Sequence, residues 1–206
     1  MRLYTYAGSA NGYKAELLLA LLGRPYERVE VPIFAGASRT PEFLAKNPAG
    51  RVPVLEFDDG TTLPESNAIL WHLARGTDFM PKTVAQQDRT IAWLMFEQSE
   101  VEPTIGSSRF WIQTGRDRLR RDELTRRLEW AKQSLELLDR ELRDRAFLVG
   151  DRASVADLAL YAYTHLAPEI DLPLGTHLAA WCERIAKLPG YVGGKLKYDD
   201  AAQYRE

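Results

Sequence analysis

Three short stretches near the start of the chain place polar side chains where regular elements begin or end. Gly8-Ser9-Ala10-Asn11 follows a short strand pattern and precedes a helix pattern. A helix N-terminus leaves backbone N–H groups unspent and carries a partial positive charge, so an anion is stabilised there. Ser9 adds a hydroxyl donor and Asn11 an amide donor. The same residues also read as a plain turn with Asn11 as N-cap, and on local sequence alone that reading is the commoner one. Arg51-Val52-Pro53-Val54 sets a proline at the head of a strand. A cis Val52–Pro53 bond would turn the N–H and C=O of Val52 sideways, free to pair with an extended peptide-like ligand; an edge-strand proline is the structural alternative. Pro64-Glu65-Ser66-Asn67 again leaves a strand and enters a helix. Ser66 can hold a carboxylate through its N–H and hydroxyl, and Glu65 can pair with an amine; an ordinary helix start with an acidic first turn fits equally well. Each signal is weak alone. Together they suit a zwitterionic peptide.

The elements that would position these residues follow from patterning. Residues 2–6 and 26–31 read as strands around a helix that runs to Leu22 and stops at Gly23. Thr40-Pro41 opens a short helix, with Thr40 as cap. Asp58-Asp59-Gly60 lies between residues 52–57 and 61–63 as a hairpin turn. A helix over residues 66–75 closes the series. The order βαβ, helix, ββ, helix predicts a small mixed sheet covered by helices. After residue 78 strand signals vanish. Residues 85–113 and 119–143 read as long helices, with Leu124, Leu128, Ala131, Leu135, Leu138 and Leu142 forming a bundle seam in the second. Further helices are expected at 155–167 and 178–187. The expected domains are 1–78, mixed α/β, and 86–206, all-helical. Ser154-x-x-Asp157 has the form of a capping box and reads as structural.

Composition narrows the classes. The chain has 206 residues, of which 45% are hydrophobic; Lys+Arg is 27 against Asp+Glu 29, a formal net charge of −2. That balance argues against nucleic acid or an anionic membrane as partner. No apolar stretch reaches the about 18 residues of a membrane span, and no secretory signal is readable, so a cytoplasmic location is expected. The single cysteine, Cys182, closes no internal disulfide and reads as an inert thiol. His72, His165 and His177 are dispersed, so no metal is expected. Arg116 to Arg127 holds six arginines and three acids and reads as a solvated helix start, with an anion-attracting flank as the alternative.

The stretches Tyr4 to Ala10, Asn47-Pro48-Ala49-Gly50-Arg51-Val52-Pro53-Val54-Leu55, Glu65-Ser66-Asn67-Ala68-Ile69 and Gly150 to Asp157 together resemble the cytosolic glutathione transferases. The likeness runs over essentially the whole chain. It implies a thioredoxin-like N-terminal domain, a helical C-terminal domain and a homodimer. Carried onto these residues, it implies that Val52 pairs with the cysteinyl backbone of glutathione with Pro53 cis, and that Glu65 and Ser66 hold the γ-glutamyl end. Ser9 falls where the serine-type classes, delta, theta and similar bacterial forms, keep the residue facing the thiol. Asn11 matches a polar position that some bacterial forms use likewise. Several relatives carry a basic residue where Gly50 stands, and Arg51 is the nearest substitute here. The expected activity is conjugation of glutathione to small hydrophobic electrophiles, a detoxification chemistry. A glutathione-dependent disulfide or peroxide reductase and a non-catalytic glutathione-binding protein are the alternatives. The electrophile is expected between the domains, with Arg109, Phe110 and Trp111 as candidate lining, although an aromatic stripe of this kind is more often core.

Overall fold

The computed structural model describes residues 1–194 and 196–204. They divide into two compact units, one of Met1–Arg75 with Pro189–Ala202, the other built on Gly76–Leu188. The expected all-helical segment, 86–206, differs from the second unit in its tail, because Pro189–Ala202 clusters with the first.

The first unit has the element order expected from the pattern and the thioredoxin-like fold that the resemblance implies: β1 (Arg2–Thr5), α1 (Ala10–Leu21), β2 (Glu27–Glu30), α2 (Pro41–Lys46), β3 (Val54–Glu56), β4 (Thr62–Pro64) and α3 (Ser66–Ala74). The sheet order is β2-β1-β3-β4. β1 and β2 run parallel, as a helical crossover requires, and β3 is antiparallel to both β1 and β4. Alternation sorts the side chains onto two faces. Tyr4 and its register partner Val54 pack with Val31 and with Phe43 of α2. The neighbouring pair, Leu3 and Leu55, is completely buried and points the other way. Leu17 and Leu18 of α1 and Ile69 and Leu70 of α3 are completely buried too.

Local chemistry sets the helix ends. Thr40 caps α2 through its hydroxyl, which accepts the Phe43 N–H at 3.3 Å, with Pro41 at the first position. Gly23 takes φ +58° just past α1, and the Arg24 N–H returns to the Leu19 carbonyl at 3.0 Å. The tail is fastened to this unit at several points. The Tyr13 hydroxyl donates to the Val192 carbonyl at 2.8 Å, the Asp199 N–H donates to the Tyr6 hydroxyl at 2.9 Å, and Tyr198 stacks on the Tyr6 ring.

The second unit is helical: α4 (Val84–Phe96), a π-helical stretch Glu97–Gly106, α5 (Ser107–Gln113), α6 (Arg121–Glu141), α7 (Val155–Thr164) and α8 (Thr176–Ala186). The single long helix expected over 85–113 is thus a relay of three segments. Pro103 sits inside it and has no N–H to donate, which favours the wider winding. Along α6, Ala131, Leu135 and Leu138 are buried, while Leu124 and Leu128 are only half-buried, so the seam closes toward its C-terminal end. α7 is buried along its length. Asp157, fully enclosed, accepts four hydrogen bonds, from the Leu148 N–H, the Ser154 N–H, the Ser154 hydroxyl and the Trp181 indole, all at 2.8–2.9 Å. Burial pushes its pKa up, against those four donors. Among the described residues no helix is long and apolar enough to cross a membrane.

Candidate active site

The N-terminus of α1 is held by Ser9, not by Asn11 as the sequence suggested. Ser9 is extended (φ −86°, ψ 109°) and its Oγ accepts the Gly12 N–H at 3.0 Å. Asn11 therefore lies inside the first turn, with its side chain available for other work. Accepting that bond leaves the Ser9 hydroxyl proton free to donate. Gly12 is dictated by space: a Cβ there would stand 1.9 Å from Thr5 Oγ1. No residue but glycine lets α1 approach β1 so closely. On the other side Gly8 is pressed between Tyr6 and Tyr198, where a Cβ would meet their rings at 2.7 and 2.9 Å. The Tyr6 hydroxyl is engaged by the tail, and burial pushes its pKa up. Ser9 and Asn11 are thus the polar side chains at this helix start.

The second corner is the head of α3. Glu65, its N-cap, is exposed and holds φ +71°. A non-glycine residue in that region costs on the order of 1–3 kcal/mol, the kind of strain that clusters at binding sites. It sets Glu65 at the mouth of the corner, followed by the buried Ser66. The two corners meet: the Ser66 hydroxyl donates to Asn11 Oδ1 at 3.0 Å. Behind them Lys14 is completely buried, its ammonium donating to Ser66 Oγ at 3.2 Å and to Asn67 Oδ1 at 3.3 Å. Sequence reading passed over Lys14. A lone lysine one turn into a helix reads as solvent-facing, and only the packing of α1 on α3 encloses it.

The third corner is the loop before β3. The Val52–Pro53 peptide bond is cis. The Asn47 side-chain amide donates to the Arg51 carbonyl at 2.8 Å, and its Oδ1 accepts the Ala49 N–H at 3.0 Å, so Asn47 shapes the loop. Gly50 takes φ +60°, and a Cβ there would stand 2.5 Å from the Arg39 guanidinium. Arg39 donates to the Ala49 carbonyl at 3.0 Å. A basic group therefore does stand beside Gly50, supplied from eleven residues upstream; nothing in the local pattern pointed to Arg39. Arg51 is exposed.

Arg109, Phe110 and Trp111 lie on α5 in the second unit. The Arg109 guanidinium is nearly enclosed and donates to Glu169 at 2.6 Å. Arg116 stacks on the Phe110 ring. Trp111 is buried with the guanidinium groups of Arg120 and Arg127 at 5.0 and 4.8 Å from its ring centre. Part of the arginine-rich run thus packs on aromatic faces. Desolvation pushes the Cys182 thiol up to about 12, which leaves it unreactive near neutrality. Among the described residues no cluster of His, Cys, Asp or Glu could hold a metal ion.

Two family profiles match the chain: the glutathione S-transferase N-terminal domain over residues 8–75 and the C-terminal domain over 110–189. A crystal structure described as a possible glutathione S-transferase from Rhodopseudomonas palustris shares 41% identity and superposes with a TM-score of 0.90, covering 97% of this chain and 93% of that one. A glutathione S-transferase-like protein LUC7 from a Fusarium species is 30% identical over 87% of this chain and 85% of its own length. Elongation factor 1-gamma of Rattus norvegicus is 34% identical over 77% of this chain. The chain spans only 36% of that relative's length.

Proposed function

Since the chain belongs to the glutathione S-transferase family, we propose that it binds glutathione across the three corners of the first unit and conjugates its thiolate to small hydrophobic electrophiles. The observation that carries this reading is the direct contact of two helix N-termini, through the Ser66–Asn11 hydrogen bond, at one polar corner.

The chemistry follows from the donors. A free thiol has a pKa of about 8.5, so little of it is thiolate at neutral pH. Lowering that pKa by two units takes about 2.7 kcal/mol of preference for the anion. Neither a serine hydroxyl nor an asparagine amide is a base near neutrality. Both donate hydrogen bonds, and donation to a charged acceptor contributes roughly 1.5–3 kcal/mol. The end of α1 adds about 0.3–1 kcal/mol. Ser9 and Asn11 together with the helix end therefore suffice. The thiolate attacks the electrophilic carbon, a C–S bond forms, and the leaving group departs with its electron pair. Val52 would pair with the cysteinyl backbone, Glu65 with the γ-glutamyl amine and the head of α3 at Ser66 with its carboxylate. Arg39 and Arg51 flank Gly50, and in this reading they meet the glycine carboxylate. Arg109, Phe110 and Trp111 remain the candidates for the electrophile side, and the location that goes with this reading is the cytoplasm.

The same reading includes a homodimer. Val84, Ile91 and Met95 recur at helical spacing along one face of α4 and are 73%, 42% and 63% exposed. An exposed apolar stripe of this kind suits burial against a second copy. Met95→Glu is expected to raise the dimer dissociation constant more than about a hundredfold, since an unpaired carboxylate enclosed in an interface costs about 3 kcal/mol or more. Sedimentation velocity over a concentration series reads this directly; an unchanged dimer would place the interface elsewhere.

Calorimetric titration with glutathione, followed by addition of a generic aryl halide and then a small disulfide, tests the function. Binding with aryl halide turnover supports conjugation. Faster turnover of the disulfide would make the protein a reductase. Binding without turnover would make it a non-catalytic glutathione binder, a reading that the likeness to a translation elongation factor favours. Absence of binding would overturn the proposal. Glutathione amidated at its glycine carboxylate, titrated alongside, reads the contribution of Arg39 and Arg51.

A further inference from the structure

We infer that Lys14 is a positioning residue for the thiol site, acting through Ser66 to turn the Asn11 side chain so that its NH2 group faces the glutathione sulfur. The inference rests on the proposed thiol chemistry and deepens it. An ammonium group only donates. With Lys14 Nζ donating to Ser66 Oγ at 3.2 Å, the single Ser66 hydroxyl proton has to be spent elsewhere, and Asn11 Oδ1 lies 3.0 Å away. That fixes which end of the Asn11 amide is the acceptor. Its oxygen is committed inward to Ser66, and both Nδ2 hydrogens are left to the outward side. Without this constraint the two ends of an asparagine amide are nearly isosteric. The turned-over amide would set a carbonyl oxygen against a thiolate, repelling the charge it is meant to hold.

Enclosing an ammonium completely is unfavourable, and an apolar side chain of similar length would fill the same space without that cost. Lys14 is nevertheless enclosed at 0% exposure and placed on Ser66 and Asn67, the first two residues of α3. Hydrogen bonds in a chain polarise one another, so a charged donor at one end strengthens the donor at the other. The arrangement also divides the labour of Ser66. Its backbone N–H at the head of α3 remains for the γ-glutamyl carboxylate, and its hydroxyl aims Asn11.

The division has a kinetic signature. Lys14→Met and Ser66→Ala should each lower the fraction of bound glutathione present as thiolate, read by its ultraviolet absorbance at neutral pH, and lower kcat by roughly tenfold, the loss of one well-aimed hydrogen bond. KM for glutathione should change less than about twofold. In an Asn11→Ala background neither substitution should have any further effect, because the group being aimed is gone. If Lys14→Met folds too poorly to assay, Ser66→Ala carries the same comparison. A rise in KM with thiolate fraction and kcat intact would overturn the inference and make both residues carboxylate ligands. Additive losses in the Asn11→Ala background would overturn it as well. Wild-type protein that takes up no glutathione would bring down the binding proposal and this inference together, whereas wild-type binding with unaltered variants brings down this one alone.

Discussion

Asn11→Ala and Ser9→Ala should each push the thiol pKa of bound glutathione up by about 1–2 units, the equivalent of the roughly 1.5–3 kcal/mol that a hydrogen bond to a charged acceptor contributes. The sign follows from which form the donors favour. In the proposed site both side chains donate to the sulfur and so favour the anion over the neutral thiol; deleting either raises the pKa. Activity at neutral pH then falls roughly ten- to hundredfold and recovers as pH rises through the new pKa. Both variants should also lose folding stability. Ser9 caps α1 by accepting the Gly12 N–H, so Ser9→Ala should lose about 1 kcal/mol. Asn11 caps nothing but accepts the buried Ser66 hydroxyl, so Asn11→Ala strands that donor and should lose about 1–3 kcal/mol. Titrating the thiolate absorbance of the bound tripeptide, with denaturant melts alongside, separates the two effects. A pH profile that does not move in either variant would remove both residues from the chemistry.

Removing the Asp157 carboxylate is expected to be the most damaging single change to the fold. Asp157→Ala strands the Leu148 and Ser154 N–H groups, the Ser154 hydroxyl and the Trp181 indole, in surroundings closed to water. Each abandoned buried donor costs about 1–3 kcal/mol, partly relieved by relaxation, so a loss of about 4 kcal/mol is expected. Asp157→Asn keeps the volume but turns part of the acceptor into a donor facing other donors, and should lose nearly as much. Urea unfolding monitored by tryptophan fluorescence would show it as a lowered midpoint. A loss under about 1 kcal/mol would mean that water or a rearranged loop satisfies those groups.

The fold was legible because its signals are local. A strand–helix–strand followed by a hairpin and a helix admits few packings, and the parallel pairing of β1 with β2 follows from the crossover alone. The capping box at Ser154 was readable for the same reason. What escaped was set by contacts between distant parts of the chain. Asn11 was read as the N-cap because asparagine favours that position; Ser9 won it because the close approach allowed by Gly12 starts the helix two residues earlier. Residues 85–113 read as one long helix, and instead the chain winds wider through the ten residues around Pro103. At the site, Ser9, Val52 and Ser66 were visible from turn chemistry and family pattern. Lys14 and Arg39 were not, since their relevance arises only when α1 meets α3 and when the stretch before α2 reaches Gly50.

The return of Pro189–Ala202 to the first unit bears on how the protein is made. The strands and helices that carry Ser9 and Ser66 emerge from the ribosome before the helical unit, yet the Tyr6 hydroxyl and the tight pocket around Gly8 are completed by Tyr198 and Asp199. Those residues are translated only after the entire helical unit. A nascent first unit can bury its sheet, but the wall beside its Ser9 corner stays unbuilt until a segment from far along the chain arrives. Bringing such a segment home carries a loop-closure cost that grows only slowly with the intervening length, so the long detour is cheap in equilibrium terms. In time it is not: a unit synthesised ahead of the helical one reaches its finished form only once that late segment has docked.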